Sequence, residues 1–260
     1  MQGVLENPQT WASTSAQATV WMLVLTRITG LLAAIPGLGN ETFPLPTRAA
    51  LAALLSFVLV PVIPRPGALP VSLPDLLGAM TLELAVGLLM GILVALVLAA
   101  VGFGASLIDV QTGFSFVQFL NPANPQPASV AGTMMGQLAL VLIFVTGLHH
   151  QMILALAESY RLVPLGGPAH LRTLELVALT SGLLARGVQL AFPVLLALFL
   201  VDVLEGFSAR FMPQLQLLQL SFPLKIAVGL VLVGIVLREL PGWIEPLYRQ
   251  VPAWAARLLS

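Results

Sequence analysis

The chain has 260 residues, 58% hydrophobic and only 8% charged, with a mean hydropathy of +0.98. Soluble domains carry about 25% charged residues, so this composition excludes a soluble globular fold and points to a polytopic membrane protein. Its 11 basic and 11 acidic residues cancel, leaving no basic field for nucleic acid, and the absence of cysteine removes disulfides, thiolate metal sites and thiol nucleophiles together.

The stretch 1–18 holds Glu6 but no Lys or Arg, and no small-residue cleavage pattern follows it, so no cleaved signal peptide is expected. Six apolar runs follow, at about 19–38, 49–63, 76–108, 131–157, 173–204 and 222–240. The third and fifth exceed 30 residues. At about 1.5 Å per residue that is more than about 45 Å of helix, against a hydrocarbon core of about 30 Å, while the second run is too short to span. The mismatch predicts tilted or kinked helices, or helical hairpins packed into a larger complex.

Arg27 lies at the centre of the first run, which ends at Pro36, Gly37 and Gly39. Pro44 and Pro46 then make a turn before Arg48 and the short second run, so a helical hairpin is expected. Ser72 is placed to cap the third run, with Pro74 in its first turn. Within that run Gly87 and Gly91 stand four apart, as do Gly132 and Gly136 in the fourth. Small residues at this spacing either let another helix backbone come close or are background glycine.

The stretch Leu107 to Pro127 interrupts the pattern without any Lys or Arg. Gly113, Asn121-Pro122, Asn124-Pro125 and Pro127 make a continuous helix through it untenable. Yet Phe114, Phe116 and Phe119 make it too apolar for an ordinary solvated loop. Burying each phenylalanine stabilises by about 1.5–3 kcal/mol, which serves equally a loop packed on neighbouring helices and a flap that blocks a passage.

Beyond the fourth run, Glu158 to Pro164 and Gly166-Gly167-Pro168 read as a polar surface connection. Pro193 offers a kink in the fifth run, which ends near Asp202, Glu205 and Arg210. Phe222-Pro223-Leu224-Lys225 opens the last run, and from Pro241 the chain turns amphipathic. There Trp243, Tyr248 and Trp254 alternate with Glu245, Arg249 and Arg257, a mixture suited to a membrane interface. In a six-span arrangement Arg65, Arg161, Arg172, Arg238, Arg249 and Arg257 share the side of both termini, against Arg48, Arg210 and Lys225 opposite. That asymmetry places both termini in the cytoplasm.

Arg27, Glu83, Asp109, Arg186, Asp202 and Lys225 lie in or beside apolar runs, where a charge must be paired or face water. The balance of signs favours ion pairs or partner contacts over a transport pathway. No pair of acidic residues recurs at matching positions of two repeats, as a proton-coupled antiporter would show. His149 and His150 are adjacent and point about 100° apart on a helix, so they do not form a shared metal site. Ser115 lacks the second glycine of a nucleophile elbow, and Gly102-x-Gly104 lacks the third glycine of a dinucleotide loop. Neither a metal, nor a cofactor, nor a catalytic residue is expected.

The run Asp109-x-Gln111-x-Gly113-Phe114-Ser115-Phe116, followed by Asn121-Pro122, resembles the signature of the FliR family, a membrane component of the flagellar type III export gate. Further landmarks agree over nearly the whole chain: Arg27-Ile28-Thr29-Gly30 with Pro36, Pro46 and Arg48 leading to Pro61, Gly147-Leu148-His149 with Pro164-Leu165-Gly166, Pro213-Gln214, and Phe222-Pro223-Leu224-Lys225 with Gly229. The chain departs from the family pattern at Asn121, where Asp is common, at Gln216, where Asn is expected, and at Ser221, where Gly usually precedes Phe-Pro.

The resemblance implies an all-α polytopic membrane protein of long tilted helical hairpins. It would be one export-gate domain over 1–260, with a FliP-like part at 1–170 and a FliQ-like part at 171–260. Assembly with FliP and FliQ, contact with FlhB, passage of unfolded flagellar export substrates and a lipid surround in the bacterial inner membrane, at the flagellar basal body, are implied with it. Gln111, Gly113, Phe114, Ser115, Phe116 and Phe119 become pore-occluding candidates, and Asn121-Pro122 the turn that returns the chain. Arg27, Arg48, Asp109, Phe222, Pro223 and Lys225 become residues of assembly or ion pairing, and Gly87, Gly91, Gly132 and Gly136 of helix packing. The alternatives are an injectisome subunit of the same family and a stand-alone small-molecule transporter. The Gln-x-Gly-Phe-Ser-Phe wording favours the flagellar branch.

Overall fold

The computed structural model describes residues 8–37, 44–64, 69–70, 72–114, 129–168, 172–211 and 217–259, with side chains described from residue 16 onward except at 209–220 and Phe222. Seven helices carry this part of the chain: α1 (Pro8–Ala34), α2 (Leu45–Leu59), α3 (Leu73–Thr112), α4 (Val130–Val145), α5 (Leu148–Leu162), α6 (Thr173–Phe211) and α7 (Leu217–Leu259). Among the described residues there is no strand. Among the described residues three helices, at Ala16–Ala34, Leu73–Thr112 and Thr173–Ser208, are long and apolar enough to cross a membrane, and α4 with α5 makes a fourth span if counted as one broken helix. The protein is an all-α polytopic membrane protein.

Local chemistry sets several helix ends. Ser72 caps α3 as its position predicts, its Oγ accepting from the Asp75 N–H at 3.2 Å while its hydroxyl donates to Asp75 Oδ2 at 2.6 Å. Proline occupies the first turn of α2, where the missing N–H is no loss. Gly113 takes φ 83 immediately after α3, a left-handed conformation that side chains avoid.

Two expectations are corrected. The run 131–157 is two helices, because the chain turns at Thr146 and Gly147, the latter with φ 71. The last run does not give way to a surface-lying segment at Pro241. Instead α7 continues for 43 residues through Pro241, Pro246 and Pro252 to Leu259. Leu240, Ile244, Leu247, Val251, Trp254 and Leu258 recur every three or four positions along it and are all buried. That stripe is packed inside the protein, and its packing sustains the helix where propensity would end it.

The described chain forms two compact units, neither continuous in sequence. The first comprises residues 1–95, 148–176 and 249–260. Here α1 crosses the first half of α3 at backbone contact: a β-carbon on Gly87 would overlap the Arg27 carbonyl, one on Gly30 would stand 2.6 Å from Leu84 O, and one on Gly91 2.5 Å from Leu31 O. Gly87 and Gly91 thus meet a helix of the same chain. α2 packs back on α1 through a narrow strip, Ala52, Ser56 and Leu59, and leaves Phe57 74% exposed.

The second unit comprises residues 96–147 and 177–248. Its central crossing is again glycine on glycine, since a β-carbon on Gly104 in α3 would lie 2.5 Å from Gly187 O in α6. Phe192, Phe199 and Phe207 stand exposed along α6. Bare apolar side chains in this number belong against lipid or other subunits.

Candidate functional site

The last turn of α3, Asp109 to Thr112, is bonded in three directions. Asp109 is 2% exposed, and among the described residues its side chain is met by a helix N-terminus. Oδ1 accepts from the Ala131 N–H at 2.9 Å, and Oδ2 accepts from the Gly132 N–H at 3.3 Å and from the Ser129 hydroxyl. Ser129 Oγ itself accepts from the Gly132 N–H at 3.0 Å, so α4 is capped twice, by its own serine and by a carboxylate from α3. The first N–H groups of a helix lack intrahelical partners and carry the positive end of its dipole. α4 has no acidic residue in its first turn, and Asp109 supplies that charge from 20 residues upstream.

Gln111 reaches the opposite way, its Nε2 donating to Asp202 Oδ2 in α6 at 2.9 Å, while Asp202 Oδ1 pairs with Lys225 Nζ in α7. One turn along the same two helices, the Ser221 hydroxyl donates to Glu205 Oε2 at 2.6 Å. Thr112 is buried, bonds back to Ile108 O at 2.8 Å, and lays its methyl group where Gly229 of α7 has no side chain. Gly113 then ends the helix and Phe114 follows, 8% exposed. Ser115, Phe116, Phe119, Asn121 and Pro122, named from the sequence, lie outside the described residues.

The remaining sequence candidates fall elsewhere. Gly132 makes room for the Ser129 cap, because a β-carbon there would overlap Ser129 Oγ, and Gly136 has open space around it. Pro223 is exposed in the first turns of α7, and the side chain of Phe222 is not among those described. Arg48 lines a cavity of about 370 Å³ between α1 and α2 with Leu25, Thr29 and Leu32.

Arg27 occupies a separate polar centre in the first unit, fully buried, with Nε 2.5 Å from Glu83 Oε2. Its guanidinium also donates to Ser159 Oγ and to Val163 O, each at 3.0 Å, and lies 4.1 Å from the centre of the Tyr160 ring. Glu83 Oε1 accepts from the Gly166 N–H at 3.0 Å. Sequence reasoning placed 158–168 at the surface because Glu158 and Arg161 are polar. The signal it missed is the stripe Ala155, Leu156, Ser159, Tyr160 and Val163, all buried and recurring once per helical turn.

Among the described residues no group of three or more His, Cys, Asp or Glu is placed to hold a metal ion. The rings of His149 and His150 lie with centres 4.0 Å apart and planes tilted by 39°. Near the C-terminus, burial pushes the Tyr248 phenol above its ordinary range, and its hydroxyl has no hydrogen-bond partner among the described residues. What the end of α3 can do is mechanical: polar groups saturate one another and fix the point at which the chain leaves that helix.

The profile of the bacterial export proteins, family 1, matches residues 18–251. The flagellar biosynthetic protein FliR of Caulobacter vibrioides is 31% identical over 232 residues, covering 86% of this chain and 91% of the relative. The FliR of Escherichia coli is 26% identical over 254 residues, 95% and 97% of the two chains. The surface presentation of antigens protein SpaR of Shigella sonnei is 28% identical over 156 residues, 59% of this chain and 60% of that one. The chain belongs to the bacterial export proteins, family 1, the family of the flagellar biosynthetic protein FliR.

Proposed function

We propose that this protein is a core subunit of the flagellar type III export gate. Membership of the family makes it a membrane component of a type III export apparatus. The finer reading is that it assembles with FliP and FliQ, meets FlhB, and passes unfolded flagellar export substrates across the bacterial inner membrane at the flagellar basal body. In that assembly residues 1–170 form the FliP-like part and 171–260 the FliQ-like part. The role is one of construction and gating, without a catalytic step.

The segment from Gly113 to Pro127 occludes the pore at rest, with Phe114, Phe116 and Phe119 as the apolar plug. The observation that supports this is the anchorage of the last turn of α3 to α4, α6 and α7 just before that segment begins. A flap that closes a conduit needs a fixed hinge point, since an anchor free to move would leave the apolar residues without a defined position.

The experiment is co-expression of this chain with FliP and FliQ, purification of the complex, and measurement of its ion conductance in planar bilayers. The expected result is a complex that assembles and is closed. Replacing Phe114 and Phe116 with Ala opens a leak, and an unaltered conductance in that variant removes the plug. A chain that purifies alone in stable form and binds a solute is a small-molecule carrier. The partial likeness to SpaR gives the injectisome as the second reading, and co-purification with flagellar as against injectisome partners separates the two.

A further inference from the structure

We infer that Asp109 is a positioning residue of the gate, a clasp that ties the point where the chain leaves α3 to the point where it returns at α4. This rests on the gate reading above. The connection between Gly113 and Ser129 has its two ends held by one side chain, whose bonds among the described residues run to Ser129, Ala131 and Gly132. Ser129 accepts from the Gly132 N–H at 3.0 Å, so a local cap is already present, and Asp109 adds the acceptor for the Ala131 N–H. It also adds the tie across the connection. A carboxylate is the group that can do this, since it accepts from two backbone N–H groups and a hydroxyl at once, and an amide in its place has one acceptor oxygen and a donor that faces other donors.

The consequence is an order among variants. Ser129→Ala removes one of the three bonds and keeps the one to Ala131. Asp109→Asn loses the acceptor that serves Ser129 and Gly132. The double exchange Asp109→Asn with Ser129→Asp restores the tie with its polarity reversed, because the amide placed at 109 donates to the carboxylate placed at 129, which is itself a favourable cap.

The test uses the assembled gate and reads two quantities, yield of the complex and potassium conductance in planar bilayers. The expected result for Asp109→Asn is unaltered assembly with resting conductance raised about tenfold, the population change that about 1.4 kcal/mol brings. Ser129→Ala is expected to leak less, and the double exchange to return to the parental value, which loss of stability alone would not produce. If Asp109→Asn stays as closed as the parent while the Phe114/Phe116 double alanine variant leaks, the clasp is refuted and the gate reading stands. If neither leaks, the gate reading fails and the clasp with it. Should Asp109→Asn fail to assemble, Ser129→Ala decides: a leak supports the clasp, and a closed complex overturns it.

Discussion

Arg27 and Glu83 meet at 2.5 Å with side chains 0% and 2% exposed, a complete ion pair sealed inside a chain whose charged residues are 8% of the total. Every strong donor and acceptor around it is used, through Ser159, Val163 and Gly166. Taking two charges out of water is costly, and the pair tolerates burial because each keeps the other compensated. It therefore ties α1, α3 and α5 to one arrangement.

Removing one partner strands the other. Arg27→Met or Glu83→Gln alone is expected to cost about 3–5 kcal/mol, seen as lost yield and a shortened half-life of the complex in detergent. Arg27→Met combined with Glu83→Met replaces the pair by apolar volume and is expected to recover most of the loss. A double variant no better than either single one would show that the two residues act independently.

The α1–α3 crossing has no room for side chains at Gly30 and Gly87. Gly87→Ala is expected to destabilise by about 1–3 kcal/mol through overpacking, and Gly87→Leu or Gly91→Leu to abolish co-purification with FliP. Gly78, in the same helix with nothing within 4 Å, is the control. There Ala is expected to be neutral or stabilising by up to about 1 kcal/mol from helix propensity. Equal effects at Gly78 and Gly87 in thermal unfolding would contradict close approach as the reason for the glycines.

Asp202 and Lys225 are paired at 33% and 20% side-chain exposure, so water screens the pair in part. Lys225→Gln is expected to cost about 1 kcal/mol, less than loss of the Arg27 pair. Asp202→Asn added to it should cost less than the sum of the two single changes, because Gln111 keeps a partner at 202. Strict additivity in a double-mutant cycle would mean that the contact carries no coupling.

Trp254 is 4% exposed and Tyr248 3%. Trp254→Ala is expected to cost about 3–5 kcal/mol, as for a large buried aromatic, whereas a residue lying at a membrane surface would tolerate the change. Tyr248→Phe removes a buried hydroxyl that finds no partner among the described residues, and is expected to be neutral or stabilising. Thermal stability of the two variants measured side by side separates a packed face from an interfacial one.

At the end of α3, Asp109, Gln111 and Gly113 were legible as a group because apolar helix gives way there to polar and turn-forming residues. Their roles were not. Gln111, expected in the plug, has its side chain on Asp202 in α6, 91 residues away. Asp109, expected in an ion pair or a partner contact, serves the N-terminus of α4. A polar side chain announces that it must be satisfied, but not by what, and backbone N–H groups at a helix start are invisible to a count of charges.

Composition and order of residues by themselves determined the solvent, the helical class, an interruption somewhere between Leu107 and Pro127 and the list of charges that had to find shelter. Each follows from properties a residue carries wherever it sits: transfer energy from water, a missing amide hydrogen, a free φ. Tertiary structure alone decided that Arg27 belongs to Glu83 and Ser159, 56 and 132 residues away, and that Gly87 faces α1. It also carried α7 through Pro241, Pro246 and Pro252. Those outcomes depend on which surfaces meet, and burial against a distant helix outweighs the local preference that any short stretch of chain expresses.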